Sequence, residues 1–271
     1  MSLVFEGTEQ QYMIDTRTKE KILDVAKKVI KKDWDFIFCI DGRERSGKST
    51  LAIQLAFYCD PTLDLSRIVF SAREFEKAVL NSKPFQAIIY DEAYTGMYSR
   101  SSMTLINKAL NTMIAEIGQK NLFIFIVMPA FHDLDKQIAI WRTSALFHVY
   151  TKDFTRGRYG VYTYKQKKSL YILGKKFYSY RDPKPLYLAR FGAHMPINET
   201  AYRAKKREAL SIRENKREAT IDMSKVNDIL FQRLVGLGDK LTHTVKIEML
   251  GIPPSTYYYK LKQWRENEAN P

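Results

Sequence analysis

Between residues 35 and 150 the apolar positions come in short runs, separated by stretches where apolar residues recur with helical spacing. Runs at 36–40, 67–70, 85–90, 122–128 and 145–150 have the length and content of buried strands. Residues 51–57, 74–80, 102–117 and 133–141 between them read as helices, the third capped by Ser101 or Ser102 and stopped at Gly118. Strand alternating with helix predicts an α/β fold, a parallel sheet covered by helices on both faces. Ahead of it, 18–32 carries Ile22, Leu23, Val25, Ala26, Val29 and Ile30 at amphipathic helical positions. Beyond 150 the pattern changes. Residues 158–164 and 169–173 alternate as two strands of a hairpin joined through 165–168, and 175–180 extends it. The tyrosines of this ribbon interleave with lysines, an arrangement that suits both a half-buried strand and a surface that stacks bases. Residues 181–200, with Pro183, Pro185 and Pro196, have linker character, and 201–219 is a charged, solvated helix. Three further helices are expected at 224–235, 242–250 and from Pro253 or Pro254 to Trp264, with Gly251 making the turn before the last.

The expected organisation is therefore a helical preface at 1–34, an α/β core at 35–150, a basic β-ribbon insertion and linker at 151–200, a connecting helix at 201–219, and a small all-helical domain at 220–271. Hydrophobic residues make up 45% of the 271, enough for a sizeable core. No apolar run reaches the roughly 18–20 residues that span a bilayer, so no membrane partner is expected. The first residues lack a basic-then-apolar leader. Cys39 and Cys59 are too few and too isolated for a disulfide framework or a zinc site, which points to a reduced, cytoplasmic protein.

The net charge of +14 is unevenly spread. Residues 1–150 hold 19 Lys and Arg against 18 Asp and Glu, whereas 151–271 hold 25 against 12. A neutral first part joined to a basic second part is the electrostatic footprint of a nucleic-acid binder. The last helix, opening Pro-Ser-Thr-Tyr-Tyr-Tyr-Lys after a glycine turn, has the pattern of a helix-turn-helix and resembles the recognition-helix region of resolvase- and transposase-type domains. On that resemblance Ser255, Thr256, Tyr258 and Tyr259 face the major groove of DNA, while Lys260, Lys262 and Arg265 meet phosphates. A helical subdomain packing on a protein partner is the alternative.

The most specific chemistry lies at 42–49. Gly42-Arg43-Glu44-Arg45-Ser46-Gly47-Lys48-Ser49 fits G-x-x-x-x-G-K-[ST] without a mismatch, between an expected strand and an expected helix. In such a loop the glycines turn backbone N–H groups toward phosphates at a helix N-terminus. Gly42, Arg45, Ser46, Gly47, Lys48, Ser49 and Thr50 are the expected contacts to ATP, with Lys48 reaching the β- and γ-phosphates and Ser49 holding Mg²⁺. Asp91-Glu92 ends an apolar strand, where Asp91 would hold Mg²⁺ and Glu92 would ready the attacking water.

The loop, the carboxylate pair and the further strand-helix-strand together resemble the P-loop ATPases with an added strand and a catalytic glutamate, the superfamily of AAA+, RecA-like, FtsK/HerA and viral packaging ATPases. The resemblance covers about 35–150. It implies that the strand at 122–128 lies between those at 36–40 and 85–90, and that its end carries a polar γ-phosphate sensor, for which His132 or Asp133 stands nearest. It also implies a role for Arg142 as an arginine finger in a neighbouring subunit's site, with Arg156 and Arg158 in reserve, and hence a homo-oligomeric ring. The segment 94–101 would couple the site to DNA or be a plain surface loop. The function expected is a DNA-dependent ATPase: a ring motor, translocase or loader of a virus or mobile element. Two alternatives are a P-loop kinase of a small molecule or polynucleotide, and an ATP-gated DNA-binding regulator.

Overall fold

The computed structural model describes residues 1–91, 99–177, 179–237 and 241–269, apart from the side chains of 99–106, 114, 115, 213–227 and 267–269. The chain divides into two compact units, Met1–Arg207 and Glu208–Pro271. The first is an α/β unit built on a seven-stranded sheet. Its strands are β3 (Phe36–Gly42), β4 (Ile68–Val69), β5 (Ala87–Asp91), β6 (Phe123–Val127), β7 (Thr143–Lys152), β8 (Thr155–Tyr162) and β9 (Tyr187–Arg190), in the order β4-β5-β6-β3-β7-β8-β9. A separate antiparallel pair, β1 (Ser2–Phe5) and β2 (Tyr12–Asp15), precedes them. Strands β4 to β7 and β3 run parallel, and β8 and β9 add antiparallel strands at one edge.

Near-continuous apolar runs are what a sheet covered on both faces requires, and β3, β5 and β6 are buried almost throughout. Strand β6 lies between β3 and β5. In the resulting register Asp91 is level with Val127, and Val127 with Ile40, so β3 and β5 finish at the same edge. The helix Lys48–Cys59 is buried on nearly every face, from Leu51 to Phe57, as befits a helix enclosed by other elements. The helix Ala72–Asn81 is capped by Ser71, whose side chain accepts from Glu74 N–H, while Glu74 accepts from Phe70 N–H. The pattern is close to a capping box, with Glu74 reaching the N–H one residue before the cap instead of that of Ser71. A buried ion pair ties the next strand in place: Arg67 donates to Asp60, to Thr62 and to the carbonyl of Ala87 at 3.3 Å, and Ala87 N–H returns a bond to Asp60 at 2.9 Å.

Residues 151–180 differ from the sequence expectation. The hairpin is β7–β8, with Asp153 and Phe154 at its tip, both at positive φ. The segment 164–177, expected as the hairpin's joining turn at 165–168 and its second strand and extension from 169, is helical. Instead of a separate ribbon, β8 and β9 extend the main sheet, so 151–200 belongs to the same unit as the core. The reason is visible at Lys167, expected on an exposed turn. It is fully buried, and its Nζ donates to the carbonyls of Ala139 and Ile140, the latter at 2.8 Å, at the end of the short helical segment Ile138–Arg142. Helical spacing also buries Leu170 and Tyr171, whose hydroxyl donates to Leu134 O at 2.8 Å.

Burial lowers the Lys167 pKa to about 8. Its unfolded value is near the ordinary ~10.4, so between those limits the unfolded chain binds more protons, and stability must rise with pH. Compared with Lys167→Met, the wild-type unit should gain on the order of 3 kcal/mol between pH 7 and 10.5. Urea unfolding of both proteins across that range measures the difference, and parallel pH curves would refute it.

The second unit is helical. The 38-residue helix Glu199–Gly236 begins in the first unit and contributes its later turns here, followed by His243–Leu250 and Pro254–Ala269. One helix thus replaces the two expected at 201–219 and 224–235. Thr242 caps the second helix and Gly251 ends it at φ 59°. Phe231, Val235, Tyr257 and Leu261 form a small core, with Trp264 and Ile252 packed against it. Tyr257 O–H lies 2.8 Å from His243 Nδ1. No helix among the described residues is long and apolar enough to cross a membrane.

Candidate functional site

The turn from β3 into the helix Lys48–Cys59 depends on two glycines. Gly42 has φ 135°, and a Cβ there would stand 2.0 Å from the carbonyl oxygen of Val149. Gly47 has φ 102° at the helix start, where a Cβ would meet the Phe191 ring at 3.0 Å. Arg45, exposed, takes φ 58° between them. Lys48, the first residue of the helix, folds back over the loop, its Nζ donating to Gly42 O and Arg43 O, each at 2.7 Å. Burial lowers its pKa, an effect opposed by the carboxylates of Asp41 and Asp91 and reinforced by Lys206. Ser46 Oγ is buried and has no hydrogen-bond partner among the described residues. Ser49 and Thr50 are half-buried in the first helical turn.

Asp91 ends β5 almost completely buried. Its Oδ2 accepts from Tyr202 O–H and from Lys206 Nζ at 2.9 Å, and the same Nζ is 3.2 Å from Ser49 Oγ and 3.2 Å from the Tyr202 phenol oxygen. Ser49 and Asp91, the two expected metal ligands, therefore converge on one cationic centre. Tyr202 and Lys206 are four residues apart, so they share one face of their helix. Lys205 anchors that helix to the sheet through Leu65 O at 2.6 Å and Ile68 O at 2.7 Å. Burial and the neighbouring Asp91 carboxylate push the Tyr202 phenol well above the usual range, so it remains a donor.

Asp41, directly before Gly42, is fully buried, and its carboxylate gathers three neighbouring segments. Oδ2 accepts from Phe131 N–H at 2.9 Å and from Tyr180 O–H, and Oδ1 is 2.8 Å from His148 Nδ1. The His148 and Tyr180 rings stack with centroids 3.7 Å apart. This cluster fixes the end of β3 to β7 and to the segment after β6, and so sets where the loop begins. Neither Asp41 nor Tyr202 and Lys206 stand out in the sequence, because their partners at the site lie 90 to 157 residues away.

Other expected site residues fall elsewhere. Arg142 lies where β7 begins, at the end of the sheet opposite Gly42, and its guanidinium pairs with Asp35 Oδ2 at 2.8 Å. His132 is buried beside Tyr180, with ring centroids 5.0 Å apart, and desolvation lowers its pKa. Asp133 next to it is exposed. Glu92 and residues 94–98 lie outside the described residues. On the helix Pro254–Ala269, Ser255, Thr256, Tyr258, Tyr259, Lys262 and Arg265 are exposed, whereas Lys260 is partly covered and pairs with Asp228. Among the described residues no group of three or more His, Cys, Asp or Glu side chains could hold a metal ion. A magnesium site here would rest on Ser49 and Asp91 with ligand oxygens and water.

The basic charge sorts differently once the unit boundary at Arg207 is known. Residues 151–207 carry 15 Lys and Arg against 3 Asp and Glu, while 208–271 carry 10 against 9. Part of it lies beside exposed aromatics. Trp141 and Tyr164 lie with ring centroids 6.2 Å apart, Lys168 Nζ stands 5.3 Å over the Trp141 ring, and Phe154 at the β7–β8 tip is fully exposed between Lys152 and Arg156. On β8 and β9, Arg158 is paired directly across from Arg190. Like charges opposite one another are unfavourable without an anion between them.

Comparison with known protein families finds no family model that matches this chain, and comparison with curated proteins finds no match.

Proposed function

We propose that this chain binds a nucleoside triphosphate with Mg²⁺ at the Gly42–Ser49 loop and hydrolyses it, and that its partner is DNA. The observation that carries the reading is the convergence of Ser49 Oγ and Asp91 Oδ2 on a single cation beside a glycine-shaped loop. A serine hydroxyl and a carboxylate meeting at a helix N-terminus suit a hydrated Mg²⁺, which keeps several of its waters and takes one or two protein oxygens. The first helical N–H groups and Lys48 favour the phosphates, and the buried Ser46 hydroxyl is a further donor for them. Mg²⁺, when bound, would neutralise charge on the phosphates. Glu92, next along the chain from Asp91, is assigned the attacking water. Arg142, paired with Asp35 in its own chain, is given a structural role, and the reading does not depend on a neighbouring subunit.

DNA is assigned first to the 151–207 surface. Apart from the buried Lys167, the basic residues of 151–207 outnumber the acidic ones fourteen to three and supply phosphate attraction there, and Trp141 and Tyr164 beyond one end of β7 and Phe154 beyond the other offer stacking faces of the kind single strands use. The exposed side of the helix Pro254–Ala269 is assigned a second contact, through Ser255, Thr256, Tyr258 and Tyr259.

The test is ATP hydrolysis by the full chain with and without single- and double-stranded DNA. Turnover should rise with DNA and vanish in Lys48→Ala; turnover only with a small acceptor would make the protein a kinase. DNA binding without appreciable turnover would make it a nucleotide-gated regulator. The double variant Trp141→Ala/Lys168→Ala should weaken single-strand binding about tenfold. Unchanged affinity there, together with a loss in Tyr258→Ala/Tyr259→Ala, would move the contact to the C-terminal unit.

A further inference from the structure

We infer that Lys206 is a built-in counter-ion of the metal position, one that holds Ser49 and Asp91 in place and must leave when a metal–nucleotide complex enters. The inference rests on the nucleotide reading of the loop and adds a binding residue to it from outside both motifs. Three oxygens surround the Lys206 ammonium: Asp91 Oδ2 at 2.9 Å, Ser49 Oγ at 3.2 Å and the Tyr202 phenol oxygen at 3.2 Å. These are hydrogen-bond lengths. Mg²⁺ requires oxygens at about 2.0–2.1 Å in an octahedron, so the ammonium and the metal cannot share Ser49 and Asp91.

The exposures show which partner can yield. The Asp91 side chain is 2% exposed and the Lys206 side chain 27%, so the carboxylate is fixed while the ammonium sits at the mouth. Lys205 and Tyr202 hold the helix itself through Leu65, Ile68 and Asp91, so exchange needs only the long Lys206 side chain to swing. Without that ammonium, Asp91 would be a buried carboxylate facing incoming phosphates, an unfavourable arrangement. With it, a metal-free nucleotide meets both Lys48 and Lys206. Two consequences follow: wild-type protein binds nucleotide well without metal, and added Mg²⁺ improves binding little, because part of its attraction is spent on displacing the lysine.

The experiment measures equilibrium binding of a fluorescent ADP analogue to the full chain, in EDTA and in saturating Mg²⁺, and takes the ratio of the two dissociation constants. Wild type should give a ratio below about tenfold, and Lys206→Gln, which keeps a donor to Asp91 but no charge, should raise it at least about tenfold further. Lys206→Arg retains charge and should stay within about threefold of wild type. Tyr202→Phe, which removes the other donor to Asp91, should also stay near wild type, separating charge competition from mere support of the carboxylate. Equal ratios in wild type and Lys206→Gln, or equal shifts in Lys206→Gln and Tyr202→Phe, would overturn the inference. A wild-type ratio above about a hundredfold would overturn it even if the glutamine variant does not fold. No binding by wild type in either condition would instead sink the nucleotide reading itself.

Discussion

Replacing Arg67 by methionine is expected to destabilise the Met1–Arg207 unit by about 3–5 kcal/mol, the cost of breaking a buried ion pair from one side. For a unit of this size that corresponds to a fall in Tm of roughly 10 °C. The guanidinium satisfies the Asp60 carboxylate, the Thr62 carbonyl and hydroxyl, and the Ala87 carbonyl within a few residues of β4 and β5. Methionine fills the space but leaves a carboxylate that is 5% exposed without its cation. Burial alone would raise the Asp60 pKa; the hydrogen bonds from Thr62 and Ala87 and the Arg67 charge outweigh it and hold the value below the ordinary one. A depressed carboxylate contributes stability above its unfolded pKa and loses it as pH falls through the folded one. The stability gap between wild type and variant should therefore be full at pH 7 and shrink below pH ~4. Calorimetry at pH 7 and pH 3 checks both parts. The double variant Arg67→Met/Asp60→Leu should recover much of the loss, since the isolated charge is gone; a double variant as unstable as the sum of the singles would mean that packing, not charge, sets the cost.

The pair at Asp60 and Arg67 also illustrates what a one-dimensional reading can hold. Strand and helix positions from 36 to 128 were legible because each is dictated locally: an apolar run, an interposed helical stretch, a serine cap; the β1–β2 pair, in a stretch read as a helical preface, and the break of the 133–141 helix into two short segments were not. The same locality made the Gly42–Ser49 loop legible as a turn, since both glycines occupy backbone that a side chain cannot share. The β7–β8 hairpin was hidden because its two tip residues, Asp153 and Phe154, adopt positive φ without the Asn-Gly signal that marks such turns. With the turn unseen, the tyrosine alternation after 158 was carried too far, into a stretch whose Lys167, Leu170 and Tyr171 face inward from a helix.

Charge was misplaced for a related reason. Divided at residue 150, the chain shows a neutral part and a basic part, and the C-terminal helices fall in the basic part. Divided at Arg207, where the compact unit ends, nearly all of the excess belongs to 151–207 and the helical unit is close to neutral. The helix-turn-helix pattern and the electrostatic footprint are thus separate features of separate units. Composition gave no hint that the segment at 201–207, read as a solvated face, returns to the loop. Only the fold brings Tyr202 and Lys206 to Asp91, and i, i+4 spacing on a charged helix is too common to single them out.

Lys48→Ala should have the largest effect on function and a small one on the fold. Among the described residues its ammonium bonds to Gly42 O and Arg43 O, the second of them exposed to water, so the expected stability change is within about 1–2 kcal/mol. On the proposed nucleotide reading, turnover by contrast loses a charged donor to the phosphates, and a fall in kcat of about 10²–10³-fold is expected, the scale for removing one such group from developing negative charge. Nucleotide binding in EDTA should weaken by a smaller factor, because Lys206 still supplies one cation beside the loop. Lys48→Arg should not rescue turnover: its planar fork is wider than an ammonium and cannot take the same place over Gly42 O and Arg43 O. Binding of the fluorescent nucleotide, hydrolysis and thermal melting on the same preparations separate these effects. Wild-type binding and turnover in Lys48→Ala would remove the loop from the reaction. A large loss of melting temperature would instead assign Lys48 to holding the loop's shape. The double variant Lys48→Ala/Lys206→Gln, stripped of both cations beside Asp91, should bind metal-free nucleotide more weakly than either single variant, since the two ammonium groups share one patch of charge.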